Sequence, residues 1–455
     1  MARLNRWLGI GLAGLAAGIS MPLAAQSLWL PASDPVGIAR GGAGIAFGQS
    51  LEGASLNPAL LVTLRDRSSA YLGLGMEMAS SQITLPSNQR SLFSEDRNRV
   101  LPSFGAAWRF RDQFSFGVKL DEPFLRHAEM PTESAIRFLG KSLDLKTQRL
   151  EFQGAWALRS DFSIGAGIGF ARLNYASSVC YRVQFPIDPT QPVGALDPLV
   201  EIDVRQKGSA TVPTWSLGFR WAINPRWTFS GAHQSSLRGN VKLSAERGDA
   251  APSYYDYTGL ASAPTGDVTA AGAAAFLAQA HYQPGSRRIV LPAKTSFGVR
   301  HRLNQSMTWE FDLRYVAGSS LELPSSPTMT TPNGVVGTRL EGGYRSGFGG
   351  SLMGELNLAK NWTVRLGVSL DPALQDDAAV NPIISGARSA AFSGGVGYRR
   401  WGGELNFGYQ FRQNLDQDGV GLDGTWRGTG YQRTGTATRV EGMGHLWSFG
   451  FKRSF

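Results

Sequence analysis

Met307-Thr308-Trp309-Glu310-Phe311-Asp312-Leu313-Arg314-Tyr315 alternates apolar and polar side chains without a break. An extended chain turns successive side chains to opposite faces, so this stretch carries Met, Trp, Phe, Leu and Tyr on one side and Thr, Glu, Asp and Arg on the other. One face therefore needs an apolar medium and the other a polar one. The same period recurs in Trp362, Val364, Leu366, Val368 and Leu370, in Phe114, Phe116, Val118 and Leu120, in Phe162, Ile164, Ala166, Ile168 and Phe170, and in Leu405, Phe407, Tyr409 and Phe411.

Working outward, the pattern predicts fourteen strands at 68–84, 99–111, 113–121, 143–159, 161–183, 201–223, 226–245, 287–303, 306–323, 339–358, 360–371, 387–399, 402–412 and 437–455. Their connections are sorted by length. Every second one is a tight turn: Arg111-Asp112-Gln113, Arg159-Ser160-Asp161, Asn224-Pro225-Arg226, Asn304-Gln305, Ala359-Lys360-Asn361 and 399–403. The others are long and rich in Pro, Asp, Ser and Gly, at 85–98, 122–142, 184–200, 246–286, 324–338, 372–386 and 413–436. A transmembrane barrel has short periplasmic turns and long extracellular loops, whereas a soluble sandwich has no reason to sort its loops by end. Closure also removes the exposed edges that so many strands would otherwise present. The reading is all-β: a fourteen-stranded antiparallel transmembrane β-barrel over residues 65–455, with both of its ends on the periplasmic side. The last strand, with Trp447, Phe449, Phe451 and Phe455, resembles the carboxy-terminal signature used in outer-membrane insertion.

Composition narrows the alternatives. Of 455 residues 56 are Gly, charged residues are 18 %, and Cys180 is the lone cysteine, which excludes a disulfide framework and a thiolate zinc site. The apolar run 7–25, preceded by Arg3 and Arg6 and closed by Leu23, Ala24 and Ala25, reads as a signal peptide (residues 1–25) for export to the cell outer membrane. The net charge of +10 is scattered singly through strands and loops, which argues against nucleic acid and for contacts with phosphates of outer-membrane lipid and lipopolysaccharide.

Residues 26–64 are not strand-like, yet Leu30, Val36, Ile38, Ile45, Phe47, Leu51, Leu56, Leu60 and Leu61 need burial. A segment of this size reads as a plug inside the barrel. Within it, Gly37-Ile38-Ala39-Arg40-Gly41-Gly42-Ala43 followed by Ala54-Ser55-Leu56-Asn57-Pro58-Ala59-Leu60 resembles the amino-terminal hatch of the FadL/TodX family, the long-chain fatty acid and aromatic hydrocarbon transporters of Gram-negative outer membranes. Trp215 to Phe229, with its Asn224-Pro225-Arg226 turn, Leu291-Pro292 opening a strand, and Pro382-Ile383-Ile384-Ser385 resemble the family too. The likeness spans essentially the whole mature chain and implies the same fourteen strands, but the loops do not align with it.

Candidate residues follow. Gly41 and Gly42 allow positive φ and close backbone approach in a crowded lumen. Pro58 fixes its own φ and pushes Asn57 to an extended conformation, so Asn57-Pro58-Ala59 makes a corner, either before strand one or in a hatch packed on the wall. Pro123 cannot donate to a ladder, so Asp121, Glu122, Pro123 and Phe124 mark either the end of strand three or a break in it. The resemblance implies an inward kink there with a lateral opening for an apolar ligand. It also places a cation near a bound carboxylate, for which Arg182 at the outer end of strand five is the candidate, against a plain solvent-facing role. Arg314 and Arg365 alternate with lipid-facing residues and point inward. In the fourth loop Tyr254, Tyr255, Tyr257, Leu260, Phe276 and Leu277 suggest an apolar groove or ordinary loop packing. No nucleophile elbow, phosphate loop or histidine cluster points to an enzyme, a metal or a cofactor. The function expected is passive transport of hydrophobic compounds, long-chain fatty acids first, by a monomeric barrel. The alternative is a structural or interaction barrel, a secretion-system shuttle or adhesin.

Overall fold

The computed structural model describes residues 30, 32–48, 51–64, 66–84, 91–94, 99–130, 140–184, 199–252, 278–331, 334–337, 343–358, 361–375, 383–384, 386, 388–415 and 439–455. The expected signal peptide lies outside them, as do Tyr254, Tyr255, Tyr257, Leu260, Phe276 and Leu277 of the fourth loop.

Fourteen strands among the described residues close into one antiparallel ring. They are β1 (Ser68–Thr84), β2 (Arg99–Arg111), β3 (Phe114–Asp121), β4 (Ser142–Ala157), β5 (Phe162–Gln184), β6 (Leu199–Ala222), β7 (Trp227–Gln234), β8 (Lys294–Arg302), β9 (Met307–Val316), β10 (Gly347–Asn357), β11 (Trp362–Asp371), β12 (Ser389–Arg400), β13 (Gly403–Asn414) and β14 (Arg439–Ser454). Each pairs with its neighbour in sequence, and β14 pairs with β1 from Ser69↔Ser454 to Thr84↔Arg439, which closes the ring.

Every backbone group that faces hydrocarbon must be paired, and a closed ladder achieves this without an edge. Side chains sort as the alternation requires. In β9 Phe311, Leu313 and Tyr315 are exposed on the outer surface, while Glu310, Asp312 and Arg314 are buried in the lumen. Leu72 and Leu74 of β1 and Ile168 and Phe170 of β5 share that outer face. No helix among the described residues is long and apolar enough to cross a membrane.

Four expectations need correction. The seventh strand does not run unbroken over 226–245: after Gln234 it resumes as Leu237–Asn240, which pairs with Arg288–Leu291, and then as Lys242–Pro252, which returns to β6. The eighth is divided likewise, because Pro292 offers no N–H to the ladder. The ninth stops at Val316 and turns into a 3-10 segment at Gly318–Ser320, and the tenth begins only at Gly347. The loops also hold strands that the periodicity does not signal. Ser91–Ser94 pairs with β1, and His281–Gln283, Thr328–Thr331 and Gly334–Gly337 form a small sheet. Met329 of that sheet packs on Val179, Tyr181, Ile202 and Val204 at the outer ends of β5 and β6.

Candidate functional site

The described part of residues 30–64 lies inside the ring. Its first helix, α1 (Pro35–Ala39), is capped by Asp34, whose Oδ1 accepts from the Gly37 N–H at 2.7 Å, and carries proline at its first position, where no N–H is needed. Burial, reinforced by the nearby charge of Glu52, pushes the Asp34 carboxyl up to about 7. Gly41 and Gly42 then take φ of +66° and +76°, the left-handed region that turns the chain back across the lumen. The N–H groups of Gly44 and Ile45 donate to Asp312 Oδ2 at 2.9 and 3.2 Å, and that of Ala46 donates to Glu310 Oε1 at 2.7 Å. Thus the polar face of the Met307–Tyr315 stretch holds the plug while its apolar face meets lipid. Arg40 adds an ion pair to Glu355 at 2.7 Å.

A second helix, α2 (Leu51–Leu56), leads to the corner at Asn57-Pro58-Ala59. Asn57 is extended. Its Oδ1 accepts from the Ala59 N–H at 3.0 Å, and its Nδ2 donates to Ile45 O and Phe219 O, both at 3.0 Å. The wall gives way to this backbone at glycines. A Cβ at Gly408 would stand 2.2 Å from Pro35 O, and one at Gly165 would stand 2.4 Å from Ala59 N. Larger residues at these points would push the plug off the wall.

Beside the plug, β3 is broken. Asp121 pairs with Arg149 of β4, but Leu125–Glu129 resumes the pairing only at Lys146, so β3 spends one residue more than β4 across Glu122, Pro123 and Phe124. Thr147 clamps the break: its hydroxyl accepts from the Phe124 N–H at 2.9 Å and donates to Phe124 O at 2.8 Å. Asp121 is held by Arg149 through two bonds of 2.8 and 2.5 Å, and Glu122 lies 3.1 Å from Lys146. The resumed segment turns inward: Leu125 packs with Leu30, Ile38, Leu101 and Leu446, and Arg126 Nε donates to Ile383 O at 2.7 Å. On the other side β2 pairs with β3 only from Phe104 to Arg111, so Arg99–Ser103 has no partner strand there among the described residues. The two walls of this interval are bridged by Arg99 of β2 and Asp144 of β4 at 2.6 Å.

Inward of the break lies a closed apolar chamber, filled by the packed side chains of Phe124, Leu145, Leu173, Leu237, Leu291 and Val316 among others. Where it meets Pro123 and Phe124, a cavity of about 10 Å³, room for one water, is lined also by Arg149 and Lys294. A chain of methylenes therefore fits only if these side chains move. The chemistry is amphipathic, with apolar walls and two cations at one end.

The residues singled out in the sequence therefore fall into three groups. Gly41, Gly42, Asn57, Pro58 and Ala59 sit in the plug, and Asp121, Glu122, Pro123 and Phe124 form the break. Arg182 stands apart, near the outer end of β5, in register with Glu201 of β6. Sequence reasoning missed Arg149, Lys294 and the Glu310–Asp312 anchor. Alternation turns all four inward, but it does not separate such residues from ordinary lumen polarity. Arg314 and Arg365 are buried in the lumen, Cys180 is buried, and no three metal-binding side chains cluster among the described residues.

Comparisons with known proteins agree with this architecture. No curated protein matches the sequence. The structure is similar to that of a Pseudomonas aeruginosa FadL homologue, with a TM-score of 0.72 at 18 % identity over 94 % of this chain and 100 % of that one. It is also similar to the toluene transporter TodX of P. putida (TM-score 0.61, 15 % identity, 95 % and 99 % covered) and to the toluene transporter TbuX of Ralstonia pickettii (0.56, 14 %, 94 % and 99 %). The family model described as outer membrane protein transport protein (OMPP1/FadL/TodX) matches residues 16–451. The chain thus belongs to the OMPP1/FadL/TodX family of outer-membrane transport proteins for hydrophobic compounds.

Proposed function

We propose that this barrel carries long-chain fatty acids passively across the outer membrane, releasing them sideways into lipid through the interval beside Pro123. The observation that carries the reading is the break itself. β3 leaves β2 after Leu120, turns its outer segment into the lumen, and so joins the apolar chamber to the barrel wall. An apolar chain gains about 0.8 kcal/mol per methylene kept out of water, so a route from chamber to lipid avoids the cost of the aqueous periplasm. Lys294 at the chamber's base, beside an Arg149 that Asp121 already holds, suits a carboxylate head, which a Lys engages with charge-assisted hydrogen bonds. Arg182, the cation first expected to meet the carboxylate, is a second candidate in this reading. Ligand arrival displaces the side chains around Phe124, and the plug yields with them. The chain is exported by its signal peptide and works as a monomer among outer-membrane lipids and lipopolysaccharide.

Uptake by a deletion strain complemented with this chain tests the substrate. Labelled oleate should enter, and Lys294→Met should cut oleate uptake about tenfold while leaving uptake of a neutral hydrocarbon such as toluene unchanged. Toluene uptake without oleate uptake would assign aromatic hydrocarbons instead. Failure of a partner protein's secretion, with uptake intact, would favour a shuttle.

A further inference from the structure

The lumen on the periplasmic side of the plug holds a second chamber, of about 850 Å³, whose chemistry is the reverse of the first. Seven cationic side chains and four carboxylates line it. Three carboxylates are occupied: Glu355 lies between Arg40 and Arg365 at 2.7 and 2.9 Å, Glu404 between Arg365 and Arg399 at 3.2 Å each, and Glu52 is 3.7 Å from Lys452. Among the described lining residues, Asp66 is the carboxylate left to balance Arg300, Arg302 and Arg400.

Arg300 is the telling residue. It is 9 % exposed, lines this chamber, and among the described residues forms no ion pair with a carboxylate. Glu310, opposite it in register, instead accepts the Ala46 N–H. The Arg300 guanidinium rests on the Phe47 ring at 4.7 Å, and that of Arg40 lies 3.8 Å from the same ring. A buried guanidinium without an anion is costly, and two against one ring repel each other. Arg302, two residues along β8, points into the same space.

We infer that the periplasmic chamber is a binding site for a small oxyanion, a phosphate or a carboxylate, held by Arg300 and Arg302 beneath Phe47. The ligand reaches it from the periplasm and supplies the negative charge that the lining lacks. The site is separate from the apolar chamber, because the plug lies between them, and it does not depend on what that chamber carries.

Titration calorimetry of the full chain, refolded in zwitterionic detergent at low chloride, tests this with inorganic phosphate and, separately, with succinate. Saturable 1:1 binding is expected, weakened at least tenfold by R300Q with R302Q and unchanged by R238Q on the extracellular side. The tighter of the two probes distinguishes a phosphate source from a carboxylate one. Heat-modifiable gel migration confirms that each variant is folded; should R300Q fail to fold, R302Q alone must still weaken binding. Non-saturable heats, or equal loss in R238Q, would overturn the site.

Discussion

The backbone N–H of Leu30 donates to the carbonyl of Pro123 at 3.2 Å, so the start of the described plug is tied to the residue that breaks β3. Leu30 also packs on Leu125, the first residue past the break. The two parts that would move in transport, the stopper and the wall segment, are therefore joined by a backbone hydrogen bond and by the packing of Leu125 on Leu30 and Ile38. Displacement of either strains the other.

The clamp at the break is Thr147. Thr147→Val keeps the side-chain volume but removes both hydroxyl bonds to Phe124, at a cost of about 1–3 kcal/mol because the site is buried. Hydrogen exchange should then speed up over Leu125–Glu129, while β5 and β12 keep their protection. Unchanged exchange at Leu125–Glu129 would show that the clamp is not what positions the outer segment.

At Gly408 the wall touches the plug backbone itself. Gly408→Ala places a methyl 2.2 Å from Pro35 O, which costs roughly 1–3 kcal/mol of seating through overpacking. The barrel should still form, with normal heat-modifiable migration, but single-channel conductance should rise as the plug loosens. A silent channel with a folded barrel would contradict close seating at this point.

Seating of α1 should depend on pH through Asp34. A released plug would carry this carboxyl near its ordinary 3.8, while the seated one holds it at about 7. Below about pH 4 it is protonated in both states and the preference for the seated form is complete; that preference is lost as pH rises through 7. Limited proteolysis of the plug should accelerate as pH rises from about 4 to about 7. Asp34→Asn, which keeps an oxygen to cap Gly37, should flatten the profile.

Legibility in the sequence followed the strength of the local signal. Met307–Tyr315 reads directly because each position has one of only two environments, and that same rule turned Arg314 and Arg365 inward. Asn57-Pro58 was legible as a corner because proline's geometry is intrinsic. The division of the seventh and eighth strands was not, since it depends on pairing between Leu237–Asn240 and Arg288–Leu291, some fifty residues apart. The loop strands at Thr328–Thr331 and Gly334–Gly337 are too short for a period to show. The Arg99–Asp144 bridge spans the interval where the outer segment Leu125–Glu129 stays with β4 but leaves β2, which no local period records. Arg149 and Lys294 are two inward cations among many; what marks them is the adjacent apolar wall, which eight separate strand segments build.

Removing the extra residue at the break tests the central claim most directly. Deleting Pro123 brings Leu125–Glu129 into continuous register with β4 and lets β3 run on beside Arg99–Ser103. Labelled oleate uptake by cells bearing that variant, at matched levels of folded barrel, should fall to the level of cells lacking the protein. Uptake equal to that of the intact chain would mean that ligand leaves by another path.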